Sequence, residues 1–167
     1  MDGKGMQVLN WDETFMYMAT LFSMRSSDPN TRVGAVIVNQ ENEVVSIGYN
    51  GMPRGADADA FPWERESPDG DPLKTKYFFA VHAERNAILN AARHETVCKD
   101  CKIYVSLFPC NECAKEIVQS GIKEIIYLSD KYHDEKIFIA SRMILEACGI
   151  KTRQLKLNDE LVLRTNV

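Results

Sequence analysis

The sequence has no long uninterrupted apolar stretch, no excess of basic residues and only 3 histidines. Each shortage excludes something. Met1-Asp2-Gly3-Lys4-Gly5-Met6 lacks the apolar centre of a secretion signal, and no segment supplies the roughly 20 apolar residues that a membrane-crossing helix needs. A formal net charge of -4 argues against a basic face that tracks a nucleic-acid backbone, so neither a membrane nor a nucleic acid is an expected partner. A small anionic substrate needs only a local group of Arg and Lys, and the acidic balance leaves that open. The 5 cysteines are odd in number, which fits a reducing cytoplasm better than a disulfide framework. No internal repeat is visible, and 167 residues at 45% hydrophobic content suit one domain, residues 1–167, with a true core.

What is present falls into an orderly series of elements. Asn10 is placed to cap a first helix, with Glu13 closing a capping box and Phe15, Met18, Ala19 and Phe22 at helical spacing. The polar run Ser26-Ser27-Asp28-Pro29-Asn30 ends it. Residues 33–38 and 44–49 are apolar runs on either side of the turn-like Asn39-Gln40-Glu41-Asn42-Glu43, which predicts an antiparallel pair. Residues 50–76 then form a loop rich in Pro, Gly and Asp, of a length that is usually functional. Helices are expected from near His82 to Ala92, from Cys110 to Gln119 and from Lys136 to Cys148, the last two closed by Gly121 and Gly149. Strands are expected over 103–107, 125–128 and 152–157. This order predicts an α/β fold, a three-layer α/β/α sandwich with a central five-stranded mixed sheet. Cys148, Met16, Met18 and Met24 read as packing residues.

The chemistry is concentrated in His82-Ala83-Glu84 and Pro109-Cys110-Asn111-Glu112-Cys113. One imidazole and two thiolates can hold a zinc ion on three sides and leave the fourth open, the pattern of catalytic zinc. Cys110 and Cys113, at i and i+3 of a helix start, lie on one face, and a helix N-terminus favours the thiolate form. Glu84 is the candidate proton carrier. H-x-E with P-C-x-x-C is the signature of zinc-dependent nucleobase deaminases, in which the Glu is general acid/base and not a ligand. A structural zinc knuckle is the plain alternative, but a knuckle does not account for Glu84 and Pro109 as well.

Beyond the zinc motif the chain resembles deoxycytidylate (dCMP) deaminases of the cytidine deaminase-like superfamily. The resemblance runs from Trp11 to about Leu157. It is carried by Ser27-Asp28-Pro29-Asn30-Thr31-Arg32-Val33-Gly34-Ala35, Gly48-Tyr49-Asn50-Gly51-Met52-Pro53-Arg54-Gly55, Lys76-Tyr77, His82-Ala83-Glu84-Arg85-Asn86-Ala87-Ile88, Phe108-Pro109-Cys110-Asn111-Glu112-Cys113-Ala114 and Ser129-Asp130-Lys131-Tyr132-His133-Asp134. It implies conversion of dCMP and water to dUMP and ammonia, with His82, Cys110 and Cys113 on Zn²⁺ and Glu84 carrying protons. It also implies that backbone groups at Ala83 and Ser106 orient the base and that Asn50 bonds the sugar 3′-hydroxyl. Arg25, Ser27 and Arg32 would meet the 5′-phosphate, and Tyr132 would close the pocket. Many relatives are activated by dCTP and inhibited by dTTP with Mg²⁺ on the triphosphate, and assemble as hexamers. Gly51, Arg54, Asn86 and Arg93 fall where that control is thought to act.

Three other readings compete. A tRNA or DNA base deaminase shares the zinc site but needs a basic groove or tail, for which Lys151–Arg164 is short. A free-nucleoside deaminase typically has Cys where this chain has His82. An inactive nucleotide-binding regulator would be expected to have lost Glu84. Cys98-Lys99-Asp100-Cys101, with His94 upstream, is a second C-x-x-C; it lacks an evident fourth ligand and reads as free thiols. Some viral relatives carry a second zinc in the long loop, but residues 50–76 hold no His or Cys here. Arg85 departs from the Leu usual in relatives, and is expected to face away from the metal and bear on packing or a subunit contact.

Overall fold

The structure, a computed structural model, describes residues 8–57 and 59–157. The readings made for Met1–Met6 and for residues 158–164 fall outside them. Helix α1, Trp11–Ser23, begins with the expected capping box: Asn10 accepts from the Glu13 N–H, and Glu13 reaches back to the Asn10 N–H. Strands β1, Gly34–Val38, and β2, Val44–Tyr49, pair antiparallel. Helix α2 spans Ala83–Arg93, β3 Lys102–Leu107, α3 Asn111–Gln119, β4 Glu124–Ser129, α4 Lys136–Ala147 and β5 Lys151–Gln154. The five strands form one sheet in the order β2-β1-β3-β4-β5. β1 is antiparallel to both its neighbours, whereas β3, β4 and β5 run parallel. The five-stranded mixed sheet read from the sequence is therefore the one observed.

Strand alternation sends side chains to two different cores. Val36, Val38, Tyr104 and Ile126 pack on one face against Phe15, Met16 and Ala19 of α1. Ala35, Ile37, Ile103, Val105, Ile125 and Tyr127 pack on the other against residues of α2, α3 and α4. The outcome is three layers, with one helix on one side and three on the other. Asp12 fixes the lone helix: it accepts hydrogen bonds from Tyr104 Oη at 2.7 Å and from Arg153 Nη1 at 2.8 Å, tying α1 to β3 and β5.

Some local expectations need correction. Cys148 is exposed, because it is the residue that caps α4 where the chain turns into Gly149. Met24 is also exposed, at the C-cap of α1, while Met16 is fully buried. The last strand ends at Gln154, three residues early, although the Leu155 N–H still donates to Tyr127 O at 2.8 Å and Leu155 and Leu157 pack on the α1-side core. The long loop is not featureless. It contains two single turns of 3-10 helix, Pro72–Lys74 and Lys76–Phe78, and Gly51 pairs with Val81 across its base.

Gly48 sets the distance between β2 and α2. A Cβ at this position would lie 2.2 Å from Ala83 O and 2.4 Å from Ala87 N, both backbone atoms that cannot swing aside. Gly48→Ala therefore forces α2 away from the sheet. We expect a cost of about 1–3 kcal/mol, a fall in melting temperature of several degrees, and weaker metal binding, since α2 carries His82. A melting curve within about 1 °C of the native one would show that α2 can back off freely.

Candidate active site

The residues singled out from the sequence meet because of how the chain enters two helices. His82 is the N-cap of α2 and Cys110 the N-cap of α3, both extended and neither using its side chain to cap the helix. Their side chains are thus free to converge. His82 Nδ1 lies 3.4 Å from Cys110 Sγ and 3.4 Å from Cys113 Sγ. It is the only group of three His, Cys or carboxylate residues with ligand atoms within 4.8 Å of one another among the described residues. Tetrahedral zinc, with bonds of about 2.0–2.1 Å to nitrogen and about 2.3 Å to sulfur, separates the two donors by about 3.6 Å. The donor set fits zinc in identity and in spacing, and offers three ligands, which leaves one position for water.

Electrostatics make the same point. The Cys110 thiol is held down to about 4, first by its hydrogen bond with Cys113 and then by His82, against the opposing effect of burial. His82 is raised by its hydrogen bond with Cys110. Cys113, which supplies the proton that Cys110 accepts, is raised well above the ordinary thiol range. One thiolate is thus already formed, and a bound dication would displace the proton held by Cys113. Glu84, only 4% exposed, is pushed up to about 7 by burial, with His82 working in the opposite direction. A carboxyl poised near neutrality beside an open metal position suits a general acid/base.

The cluster opens into a cleft of about 320 Å³ lined by His82, Ala83, Glu84 and Cys110 together with Asn50 and Tyr132. A family model described as the cytidine and deoxycytidylate deaminase zinc-binding region matches residues 9–129. The chain belongs to this family. It is therefore a zinc-binding deaminase. The human deoxycytidylate deaminase is 51% identical over 146 residues, which cover 87% of this chain and 80% of that one. A probable deoxycytidylate deaminase of Drosophila melanogaster is 46% identical over 154 residues, covering 90% and 75%. The crystal structure of dCMP deaminase from the cyanophage S-TIM5 in complex with dCMP and dUMP matches with a TM-score of 0.70 at 26% identity, over 86% of this chain and 95% of that one.

The remaining sequence-derived residues are placed as follows. Asn50 is buried and does not take the positive φ of a turn asparagine. Its Oδ1 accepts from Val33 N–H at 2.8 Å, and its Nδ2 donates to Thr31 O at 2.9 Å and Asp28 Oδ2 at 3.2 Å. Both amide protons are committed, leaving one lone pair on Oδ1 for a ligand hydroxyl. Ser106 accepts from Gly34 N–H at 3.1 Å, one residue before the cleft-lining Leu107. Arg25, Ser27 and Arg32 are exposed and lie outside the cleft lining. Arg54 Nη2 donates to Asn90 Oδ1 at 3.2 Å, Asn86 Nδ2 to Tyr49 O at 2.8 Å, Gly51 belongs to the bridge with Val81, and Arg93 is exposed in the last turn of α2. Arg85 does not face away from the metal ligands as expected: it lines the same cleft and bonds Glu116 Oε1 at 2.6 Å, linking α2 to α3.

Sequence reasoning missed Asp28, Lys76, Arg65 and Tyr77 as cleft residues. Asp28 sits in a run that reads as an ordinary helix stop. Lys76 and Tyr77 are among the residues that carry the family resemblance, the one signal that could have marked them, whereas Arg65 belongs to a long polar loop with no periodicity, where nothing local distinguishes a cleft residue from a solvated one. Cys98 and Cys101 are buried in the helical-side core, and burial raises both thiols.

Metal analysis checks the assignment of ligands. The protein should bind one zinc per chain, Cys110→Ser and Cys113→Ser should each lose it, and the double variant C98S/C101S should retain it. Two zinc ions in the native chain, falling to one in C98S/C101S, would show that the second C-x-x-C is also a metal site.

Proposed function

We propose that this enzyme hydrolyses dCMP to dUMP and ammonia. The observation that carries the reading is the buried Glu84 beside the His82–Cys110–Cys113 cluster in one cleft, in a chain about half identical to curated deoxycytidylate deaminases. A zinc ion held by His82, Cys110 and Cys113 would supply Lewis acidity, making a water acidic enough to be deprotonated near neutral pH. Glu84 takes a proton from the water that attacks C4 of the cytosine ring, and delivers it to N3. Glu84 then takes the remaining proton of the C4 hydroxyl and passes it to the departing amine, so that ammonia leaves and C4 becomes a carbonyl. Backbone groups at Ala83 and Ser106 orient the base, and the free lone pair of Asn50 Oδ1 accepts from the sugar hydroxyl. Tyr132 closes the cleft over the nucleotide. Phe108, wedged edge-on against Tyr127 with ring centroids 4.8 Å apart, gives the cleft a rigid apolar wall.

The finer reading includes control by dCTP and dTTP with Mg²⁺, a homohexamer, and a single domain acting in the cytoplasm. The Arg54–Asn90 hydrogen bond joins the loop after β2 to α2, and the Asn86–Tyr49 bond joins the end of β2 itself to the same helix. An effector that moved Gly51 or Arg54 would thus act on the helix that carries Glu84, with Arg93 at its far end. No described helix is long and apolar enough to cross a membrane.

The test is the change in ultraviolet absorbance on mixing zinc-loaded protein with dCMP, alone and with Mg·dCTP or Mg·dTTP. Turnover of dCMP supports the reaction, and stimulation by dCTP supports the control. Glu84→Gln should retain zinc and lose about 10²–10⁴-fold in kcat. Absence of dCMP turnover with zinc bound, under every condition, would overturn the reading and direct attention to nucleic-acid substrates.

A further inference from the structure

We infer that Arg65, on the loop between β2 and α2, reads the 5′-phosphate of the substrate and separates a nucleoside monophosphate from the bare nucleoside. This rests on the reading of the chain as a dCMP deaminase. It begins from an account of charge in the cleft. The cations that line it are Arg65, Lys76 and Arg85. Lys76 is paired with Asp28, the two side chains being 9% and 1% exposed, so its charge is already answered. Arg85 is paired with Glu116. Arg65 makes no ion pair among the described residues. Its Nε donates to Tyr77 Oη at 3.2 Å, and its guanidinium carbon stands 5.6 Å from the centroid of the Tyr132 ring. Both tyrosines line the same cleft.

The polarity of the cleft places the phosphate at this residue. The reacting carbon of the base must lie beside Glu84, Cys110 and Cys113, which are buried. The phosphate is the end that keeps its hydration longest, and Arg65 is exposed at the rim. With Nε engaged by Tyr77, the two terminal amino groups present the planar fork that matches a phosphate edge. Contact with two tyrosines restricts the side chain beforehand, so less entropy is lost on binding. The cleft acids sharpen the requirement: Glu112 is paired with Lys115 at 2.7 Å, but Glu135 has no ion-pair partner among the described residues. A dianion arriving without Arg65 would meet Glu135 unopposed. Arg25 and Arg32 are not among the cleft-lining residues.

The experiment measures kcat and KM for dCMP and for deoxycytidine with the zinc-loaded full chain and with Arg65→Gln, Arg65→Lys, Arg25→Gln and Arg32→Gln. Zinc content and melting temperature are recorded for each. The native enzyme should prefer dCMP. Arg65→Gln should raise the KM for dCMP about 10- to 100-fold, so that the dCMP/deoxycytidine ratio of kcat/KM collapses. Arg65→Lys should fall between the two, keeping the charge but losing the fork. A native ratio in Arg65→Gln overturns the inference, as does collapse of the ratio in Arg25→Gln or Arg32→Gln instead, which would assign the phosphate to the loop after α1. A native enzyme that turns over deoxycytidine as well as dCMP would also overturn the inference, since it reads no phosphate, whereas absence of dCMP turnover with zinc bound would overturn the proposed function itself, whatever Arg65 does.

Discussion

The cleft depends on one buried carboxylate. Asp28 accepts from the Asn30 N–H at 2.8 Å, the Thr31 N–H at 3.1 Å and Asn50 Nδ2 at 3.2 Å, and it pairs with Lys76. Those partners come from the loop after α1, the residue following β2 and the 3-10 turn Lys76–Phe78 shortly before α2. No hydrophobic contact could join three such segments with direction, because apolar burial fixes area and not angle. Breaking a buried pair of this kind by removing one partner commonly costs about 3–5 kcal/mol. Exchanging both for apolar residues can be nearly neutral for stability, but it would release Asn50 from its orientation. The value of the pair is therefore positional.

Sheet topology explains why these segments are neighbours at all. Because β1 runs antiparallel to both β2 and β3, its beginning lies beside their ends. Val33 and Gly34, Tyr49 and Asn50, and Ser106 and Leu107 all fall at one edge of the sheet. Helices α2 and α3 both start at that edge, and each delivers metal ligands at its first turn. The antiparallel hairpin brings the Thr31–Val33 backbone under Asn50, while the parallel half beyond β3 leaves room for the loop carrying Tyr132.

Much of this was legible from local pattern. The capping box at Asn10 and Glu13 is a rule about adjacent residues, and so is the pairing of Cys110 with Cys113. The strand pair over residues 33–38 and 44–49 was equally readable, as turn chemistry separates two apolar runs. Illegible features involve a partner far along the chain. Asp28 and Lys76 are 48 residues apart, and neither carries a pattern that marks burial. Cys148 misled for the opposite reason: the helical spacing from Leu145 is real, but the helix stops at Ala147, and Cys148, as its C-cap, faces solvent. Arg65 lies in a stretch whose only signals are turn signals, which locate a loop and say nothing about which of its side chains bend back over a cleft.

Arg85 shows how a charged residue beside the metal ligands can be absorbed by geometry. It lies three residues after His82, and Glu116 lies three residues after Cys113. Positions i and i+3 share a helix face, so the face of α2 that begins with one ligand is joined to the face of α3 that contains another. The bond is 2.6 Å long, yet the Arg85 side chain is 37% exposed, so solvent screening leaves it little energetic weight. What it constrains is the separation and rotation of two helices whose N-termini must hold donors 3.4 Å apart. A Leu at this position would have to set that spacing by packing alone. An ion pair sets it by direction, and it does so without placing an unanswered cation next to Glu84.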